Sequence, residues 1–526
     1  MNDVFMFARK GRESLWWRRL SGVLFPLALC LVQAVANAGD QPQWGQRYSR
    51  NMISDEKGLA DCFDPATGQN IKYVIELGSE TYSTPIVAGG RIYIGTNNER
   101  PRDKRYQGDR GVFMCFDEKD GRFLWQLVVP KYSTDMFTDW PKAGICSPAT
   151  VEGDKVYILS NRGEALCVDR AGLANGNDGP FTNEPRFVAP RDTEPQPLGP
   201  TDADILWAFD IHGTVGTHPH DAAHSSFLLH GQFLYINTGN GLDNKHKTIP
   251  RPDGPSVIVL EKQTGRLVAM DDEHIGPRIF HNTYSSPSLG EVNGKTLVFF
   301  GGGDGVVYAF EALTAPPPPG QVLKLKKVWQ FDCDPTAPKA EVHRYISNRK
   351  ESPSNIKSMT VFYRHRVYVT VGGDVWWGKN QAWLKCIDAT KTGDITKTGE
   401  LWSYPLTEHC MSTPAIYNGL VLVADCGRRV HCVDAETGQP YWTHETKGTI
   451  WASTLVADDK VYIGTRRGDF WILAASKQKQ VLCSVEMGHP ISATATAANG
   501  ALYIATMRKL YAIQKTTGEP AATATP

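Results

Sequence analysis

Side chains able to do chemistry gather at a few points of the 526-residue chain. Residues 217–224 read Thr217-His218-Pro219-His220-Asp221-Ala222-Ala223-His224. Alternating histidines in extended chain point to one side, and a neighbouring carboxylate completes a donor set for Zn2+ or Cu2+. His218, His220, Asp221 and His224 are therefore a candidate metal corner; the alternative is a polar loop whose imidazoles bond to backbone. A second group is Glu408-His409-Cys410 with Asp425-Cys426. There the two thiols could pair, could ligate with His409, or could stay unpaired and buried, which is the expectation. A third is a set of carboxylates at glycine-containing or charged turns, Asp304, Asp374, Asp425 and Asp469. Such oxygens either ligate a hard cation or cap their own turn. A fourth group is aromatic and basic: Trp376, Trp377, Trp451, Arg428, Arg466, Arg467 and Arg508. Tryptophan faces can stack on a planar ligand, and guanidinium groups can hold carboxylates. Oxygen donors in Asn175-Gly176-Asn177-Asp178-Gly179 suggest a Ca2+ loop, but Arg170 and Ala171 break the alternation of ligands.

These groups are placed by a repeat. Its clearest copy runs from Ser412-Thr413-Pro414 through an alternating apolar strand to Asp425, then through Val430-His431-Cys432-Val433-Asp434 to Thr437-Gly438 and Trp442. The mid-strand position recurs at Tyr93, Tyr157, Tyr235, Val298, Tyr368, Leu422, Tyr462 and Tyr503. Eight copies with a minimal unit near 40 residues suit four short strands each. Gly89-Gly90, Gly153-Asp154 and Asn293-Gly294 carry the hairpin-turn chemistry. Helical periodicity is nowhere sustained. The fold expected is all-β, an eight-bladed propeller of four-stranded antiparallel blades. A signal peptide over 1–38 precedes one domain over 39–526, with loop insertions near 172–203 and 315–358. The start of the repeat region, Phe63-Asp64-Pro65-Ala66-Thr67-Gly68 then Tyr73, looks like the end of a unit, while residues 492–518 lack a last strand. The N-terminal segment is thus expected to supply the outer strand of the last blade and close the ring.

Antiparallel connectivity sorts the loops. First–second and third–fourth turns share one face and are repetitive; second–third turns and blade-to-blade loops share the other and differ from unit to unit. All four groups above fall on the variable face, which is where a binding surface is expected.

Composition narrows the partners. Lys+Arg and Asp+Glu balance at 56 each, and five basic residues fall within the first 38 positions, so the remainder is slightly acidic and has no pull toward nucleic acid. Trp16-Trp17-Arg18-Arg19, an apolar run over 20–35 and Ala36-Asn37-Ala38 have the order of a secretory signal cleaved near Ala38. A periplasmic or secreted protein with no transmembrane segment after cleavage is expected, and a monomer. Of eleven cysteines, five (Cys62, Cys115, Cys167, Cys386 and Cys432) occur as Cys-x-Asp at one place in the repeat and read as small buried core residues. The pairing of Cys146, Cys333, Cys410, Cys426 and Cys483 stays open.

The Asp-x-x-Thr-Gly-x-x-x-Trp pattern, nearly complete over 117–125 and 434–442, resembles the tryptophan-docking repeat of pyrroloquinoline quinone (PQQ) propellers. It is partial before Trp207, Trp329 and Trp402, and has lost its Trp near Ala269 and Cys483. Residues 44–51, 175–180, 286–294 and 301–305 are similar to secreted bacterial propellers of this group that have no assigned reaction. The resemblance implies either of two functions. One is a quinone- or metal-dependent dehydrogenase oxidising an alcohol or sugar. It would use PQQ and Ca2+, Asp304 of Gly301-Gly302-Gly303-Asp304-Gly305 as catalytic base, and Trp451, Asp374, Asp425, Arg467 and Arg508 around the cofactor. Against it, the chain has no adjacent cysteines, no mappable calcium set and no Cys-x-x-Cys-His for haem. The other, and the reading preferred, is a binding or scaffolding module of the cell envelope. Its variable face would take an envelope protein, or a small-molecule or sugar ligand.

Overall fold

The computed structural model describes residues 39–516 apart from 133–135 and 222. The apolar run at 20–35 and the cleavage point at Ala38 lie outside the described residues. Eight antiparallel sheets follow one another in chain order. Blade 1 is built from Ile86–Ala88, Arg91–Asn97, Arg110–Asp117 and Phe123–Pro130, and the others repeat this order. The eight mid-strand positions named above each fall in the second strand of a different blade. Blades 3 and 4 gain a short fifth strand in parallel pairing, Leu323–Lys324 and Gly393–Asp394. In blade 5 the innermost strand is broken into Ser354–Asn355 and Val361–Tyr363, both pairing with Arg366–Gly373. Within 172–203 lie a 3-10 turn, Gly172–Asn175, and a short helix, Glu184–Val188; within 315–358 lies Lys327–Asp332, the outer strand of blade 4.

Indole docking joins the blades. The Nε1–H groups of Trp125, Trp207, Trp329, Trp402 and Trp442 donate to Arg170, Lys262, Ala389, Ala435 and Ser476 carbonyls of the following blade at 2.8–3.2 Å. The glycine of the Thr-Gly turn is needed because the ring lies on it. A Cβ on Gly438, at φ +70°, would come within 2.6 Å of the Trp402 ring. At the eighth blade Tyr73 takes the indole's place, over Gly121, and donates to the Glu118 carbonyl at 2.6 Å.

Closure follows the expected route. Ile71–Glu76 pairs antiparallel with Lys509–Ile513 as the outer strand of blade 8. One expectation is corrected here: Cys62 is not a free core thiol but is bonded to Cys483. Cys483 faces Ile472 in the register where Trp442 faces Cys432, so it stands at the docking-tryptophan position of blade 7. Where the indole contact is missing, a covalent one joins the last two blades. Cys115, Cys167, Cys386 and Cys432 are free and buried.

The N-terminal segment does more than close the ring. Between Gln41 and Ser54 it bonds to the innermost strand or its leading residue in all eight blades. Gln41 meets Val87, Pro42 meets Val151, and Arg50 meets Phe227. Tyr48 meets Leu289, and Ser49 meets Phe362. Asn51 meets Ile416, Met52 meets Val456, and Ser54 meets Ala497. Only a segment lying on the axis can reach every innermost strand. Most of these contacts fall next to the first–second turns, so the plug closes the axis from the repetitive face and leaves the variable face as its mouth.

Candidate functional site

The mouth is built by loops of blades 1 to 7. His220 and Asp221 come from the blade 2–3 loop, His246 from the second–third loop of blade 3, and His281 and Tyr284 from the blade 3–4 loop. Lys357 stands in the broken inner strand of blade 5, and Asp374, Trp376 and Trp377 in its second–third loop. Fibre-like strands cannot present such unlike groups together; convergence of loops at the axis can.

His220 Nδ1 faces the Leu242 carbonyl at 2.9 Å, and its Nε2 lies 3.1 Å from His281 Nε2. His281 Nδ1 faces Asp374 Oδ2 at 3.1 Å. Asp374 is fully buried and also takes Lys357 Nζ at 2.7 Å, Asn355 Nδ2 at 3.1 Å and the backbone N–H groups of Trp376 and Trp377. Burial alone would raise its pKa, yet Lys357 and His281 hold it well below the usual carboxylate range. Tyr284 donates to Asp221 Oδ2 at 2.8 Å, and Lys357 lies 3.7 Å from the Tyr284 ring centre. Burial works to raise Asp221 too, but His281 and His220 pull it below its ordinary value. Burial pushes His220 down to about 4, and His246 down as well. The nitrogens of His220, His246 and His281 all lie within 4.8 Å of one another.

Above this floor runs an aromatic rim. Phe137 stacks on His220 with centroids 5.9 Å apart, and Trp377 lies 4.9 Å from His246. Trp376 meets His281, and Trp451 at 6.2 Å; Arg466 sits 4.5 Å over Trp451. Tyr132, Met136, Trp140 and Trp376 are exposed, at 37–48%. Tyr132, Met136 and Trp140 belong to the blade 1–2 loop, whose Phe137 contacts both Trp140 and His220, and Arg467 and Arg508 are exposed on the same face.

The residues singled out in the sequence are distributed as follows. His220 and Asp221 lie at the floor with two histidines that sequence reasoning did not select, His246 and His281. His224 stacks on Tyr284 at 4.7 Å, and the backbone of His218 bonds to Asn240. Asp304, Asp374, Asp425 and Asp469 fall at the second–third connections of blades 4 to 7, at different positions within them and each with its own partners. Asp304 accepts from Arg278 at 3.0 Å and Tyr308 at 2.7 Å. Asp425 accepts from His431 at 2.9 Å and the Thr407 N–H. Asp469 accepts from Thr465, Trp471 and the Lys447 N–H. Cys410 and Cys426 are free and buried, and burial pushes the Cys410 thiol up to about 12, which disfavours a ligating thiolate. In the 169–179 stretch Asn175 and Asn177 bond to Asp178 and Glu184, and buried Asp204 is raised to about 6.

Neither His246 nor His281 stands in a local pattern that singles it out in the sequence.

Fold and docking geometry define a tryptophan-docked eight-bladed propeller. A family model described as outer membrane protein assembly factor BamB matches residues 32–174 and 381–520, more than half of the chain, and the chain belongs to that family of PQQ repeats. Among solved structures, BamB from Moraxella catarrhalis is 12% identical, covering 85% of this chain and 98% of its own, with a TM-score of 0.51. A europium-containing methanol dehydrogenase is 12% identical, covering 89% of each chain, with a TM-score of 0.53. A quinohaemoprotein alcohol dehydrogenase from Pseudomonas putida is 11% identical, covering 93% and 82%, with a TM-score of 0.52. At these identities the likeness concerns the fold. No curated protein matches significantly.

Proposed function

We propose that this protein is an exported binding module of the cell envelope that takes an extended peptide segment of a partner protein at its variable-loop mouth. The observation that carries this reading is the set of exposed large apolar side chains, the aromatic Tyr132, Trp140 and Trp376 with Met136, around a mouth closed at its far end. Solvated aromatic groups on the same face as the exposed Arg467 and Arg508 suit a strand bearing aromatic and acidic side chains. The family match to an envelope assembly factor supports the same reading. So does the Cys62–Cys483 disulfide, which belongs to an oxidising compartment. No helix among the described residues is long and apolar enough to cross a membrane. The proposal includes a leader over 1–38, a single propeller domain after it, and a monomeric state.

The second reading, a PQQ dehydrogenase, is supported by two of the fold relatives. The residues present do not fit a quinone with Ca2+. Asp304, Asp374, Asp425 and Asp469 are each neutralised or hydrogen-bonded by partners of their own. No step is therefore assigned to Asp304, Trp451, Arg467 or Arg508 as redox groups.

Selection of extended peptides on the purified chain, followed by calorimetric titration, tests the binding reading. Trp140→Ala with Trp376→Ala should weaken the selected peptides by at least about tenfold, since each desolvated aromatic anchor contributes about 1–2 kcal/mol. Lys119→Ala, on the repetitive face, should leave binding unchanged. Equal affinity in the double variant would remove the mouth from consideration.

A further inference from the structure

We propose that His220, His246, His281 and Asp221 form a binding site for a first-row divalent transition ion, with Zn2+ as the fitting occupant. The argument begins with tautomers. His220 Nδ1 faces a carbonyl that can only accept, at 2.9 Å, so that nitrogen carries its proton. His281 Nδ1 faces the Asp374 carboxylate at 3.1 Å and is protonated for the same reason. Both Nε2 atoms are then bare, yet they point at each other across 3.1 Å. Two lone pairs at that distance repel unless a cation lies between them. Zn–N bonds of about 2.0–2.1 Å in a tetrahedron place neighbouring nitrogens about 3.3 Å apart, close to the separation present.

The remaining ligands are in reach. His246 offers a third imidazole nitrogen within 4.8 Å of the other two. Asp221 brings its oxygens to 3.9 Å from His220 Nε2 and 3.7 Å from His281 Nε2. Imidazole donors with one carboxylate suit Zn2+ rather than the harder Ca2+. The surroundings have the form of an outer shell: a carbonyl and a carboxylate hold the far nitrogens of two ligands and fix their ring planes. Charge also favours a cation. Asp374 is matched by Lys357, whereas Asp221 meets the Tyr284 hydroxyl and the two imidazoles, so its negative charge has no cationic side chain of its own and offsets half of the ion's charge. Two of the four positions, Asp221 at φ +61° and His246 at φ +54°, hold non-glycine residues in the left-handed region. Such conformations persist where a site over-determines them. Four protein ligands make a closed site, so the ion would pin three loops together as the floor of the mouth.

All four residues lie between 175 and 380, outside both stretches matched by the family model. The site belongs to this chain's own loops and does not rest on the peptide-binding reading.

The test uses the full mature chain stripped with a chelator, then titrated with Zn2+ by calorimetry and with Co2+ by absorption. One equivalent of Zn2+ per chain, bound more tightly than micromolar, is expected, with the ligand-field bands of tetrahedral Co2+. His246→Ala, at a half-exposed position, should keep the circular dichroism of the parent and bind Zn2+ at least a hundredfold more weakly. His274→Ala, whose side chain is 67% exposed, should bind as the parent does. Absence of stoichiometric uptake by the parent chain would overturn the proposal, leaving a shared proton between His220 and His281. So would uptake unchanged by His246→Ala, or octahedral Co2+ bands.

Discussion

Arg50→Ala is expected to destabilise the protein by about 3–5 kcal/mol, the largest effect of any single substitution considered. Arg50 is fully buried in the axial plug. Its Nε donates to the Pro287 carbonyl at 3.0 Å, and Nη1 to the Trp44 carbonyl at 3.0 Å. Nη2 donates to the carbonyls of Ser226 at 3.1 Å and Phe227 at 2.6 Å. One planar fork thus ties the plug to the inner strands of blades 3 and 4, a geometry that a lysine cannot reproduce. Truncation removes the guanidinium donors from the Pro287, Ser226 and Trp44 carbonyls, leaves Phe227 with Thr150 alone, and opens a void at the axis. Urea unfolding followed by tryptophan fluorescence checks this, with Arg50→Lys expected between parent and alanine variant. A loss below about 1 kcal/mol for Arg50→Ala would show that the plug is held elsewhere.

Reduction of Cys62–Cys483 should cost about 2–5 kcal/mol, and Cys62→Ser should reproduce the loss and abolish sensitivity to reductant. The bond spans 421 residues of chain, so it restricts the unfolded ensemble strongly. It also stands in for the indole that blade 7 lacks, at the junction where the ring is closed by the N-terminal strand. Because Cys62 is exposed, a small reductant can reach the bond in the folded protein. Unfolding midpoints with and without reductant are the measurement. Midpoints that coincide, for a parent chain shown to hold the bond, would contradict the role given to it.

Much of the architecture was legible because it depends on local pattern repeated eight times. The tyrosines at mid-strand, the Thr-Gly turns and the docking tryptophans each report one hairpin, and their recurrence reports the ring. Ring closure by residues near Tyr73 was legible because a unit's end stood where its beginning was missing. The role of residues 41–54 was not legible. Their partners are backbone groups of all eight blades, and a carbonyl carries no sequence signal. The Cys62–Cys483 bond was not legible because Cys62 shares its Cys-x-Asp pattern with four core cysteines, while its bonding partner sits at a position defined only by the absence of tryptophan. In the candidate site, His220 and Asp221 were flagged by their spacing. His246 and His281 join them through the convergence of three loops, which no local pattern reports.

The central claim is that the variable-loop mouth, not the repetitive-turn face, meets the partner. Site-specific photo-crosslinking in cells reads this most directly, with a benzophenone side chain placed at Trp140, at Trp376 or, on the other face, at Lys119. The account predicts a discrete protein adduct from the first two positions and none from the third. Adducts from Lys119 with none from Trp140 or Trp376 would contradict it.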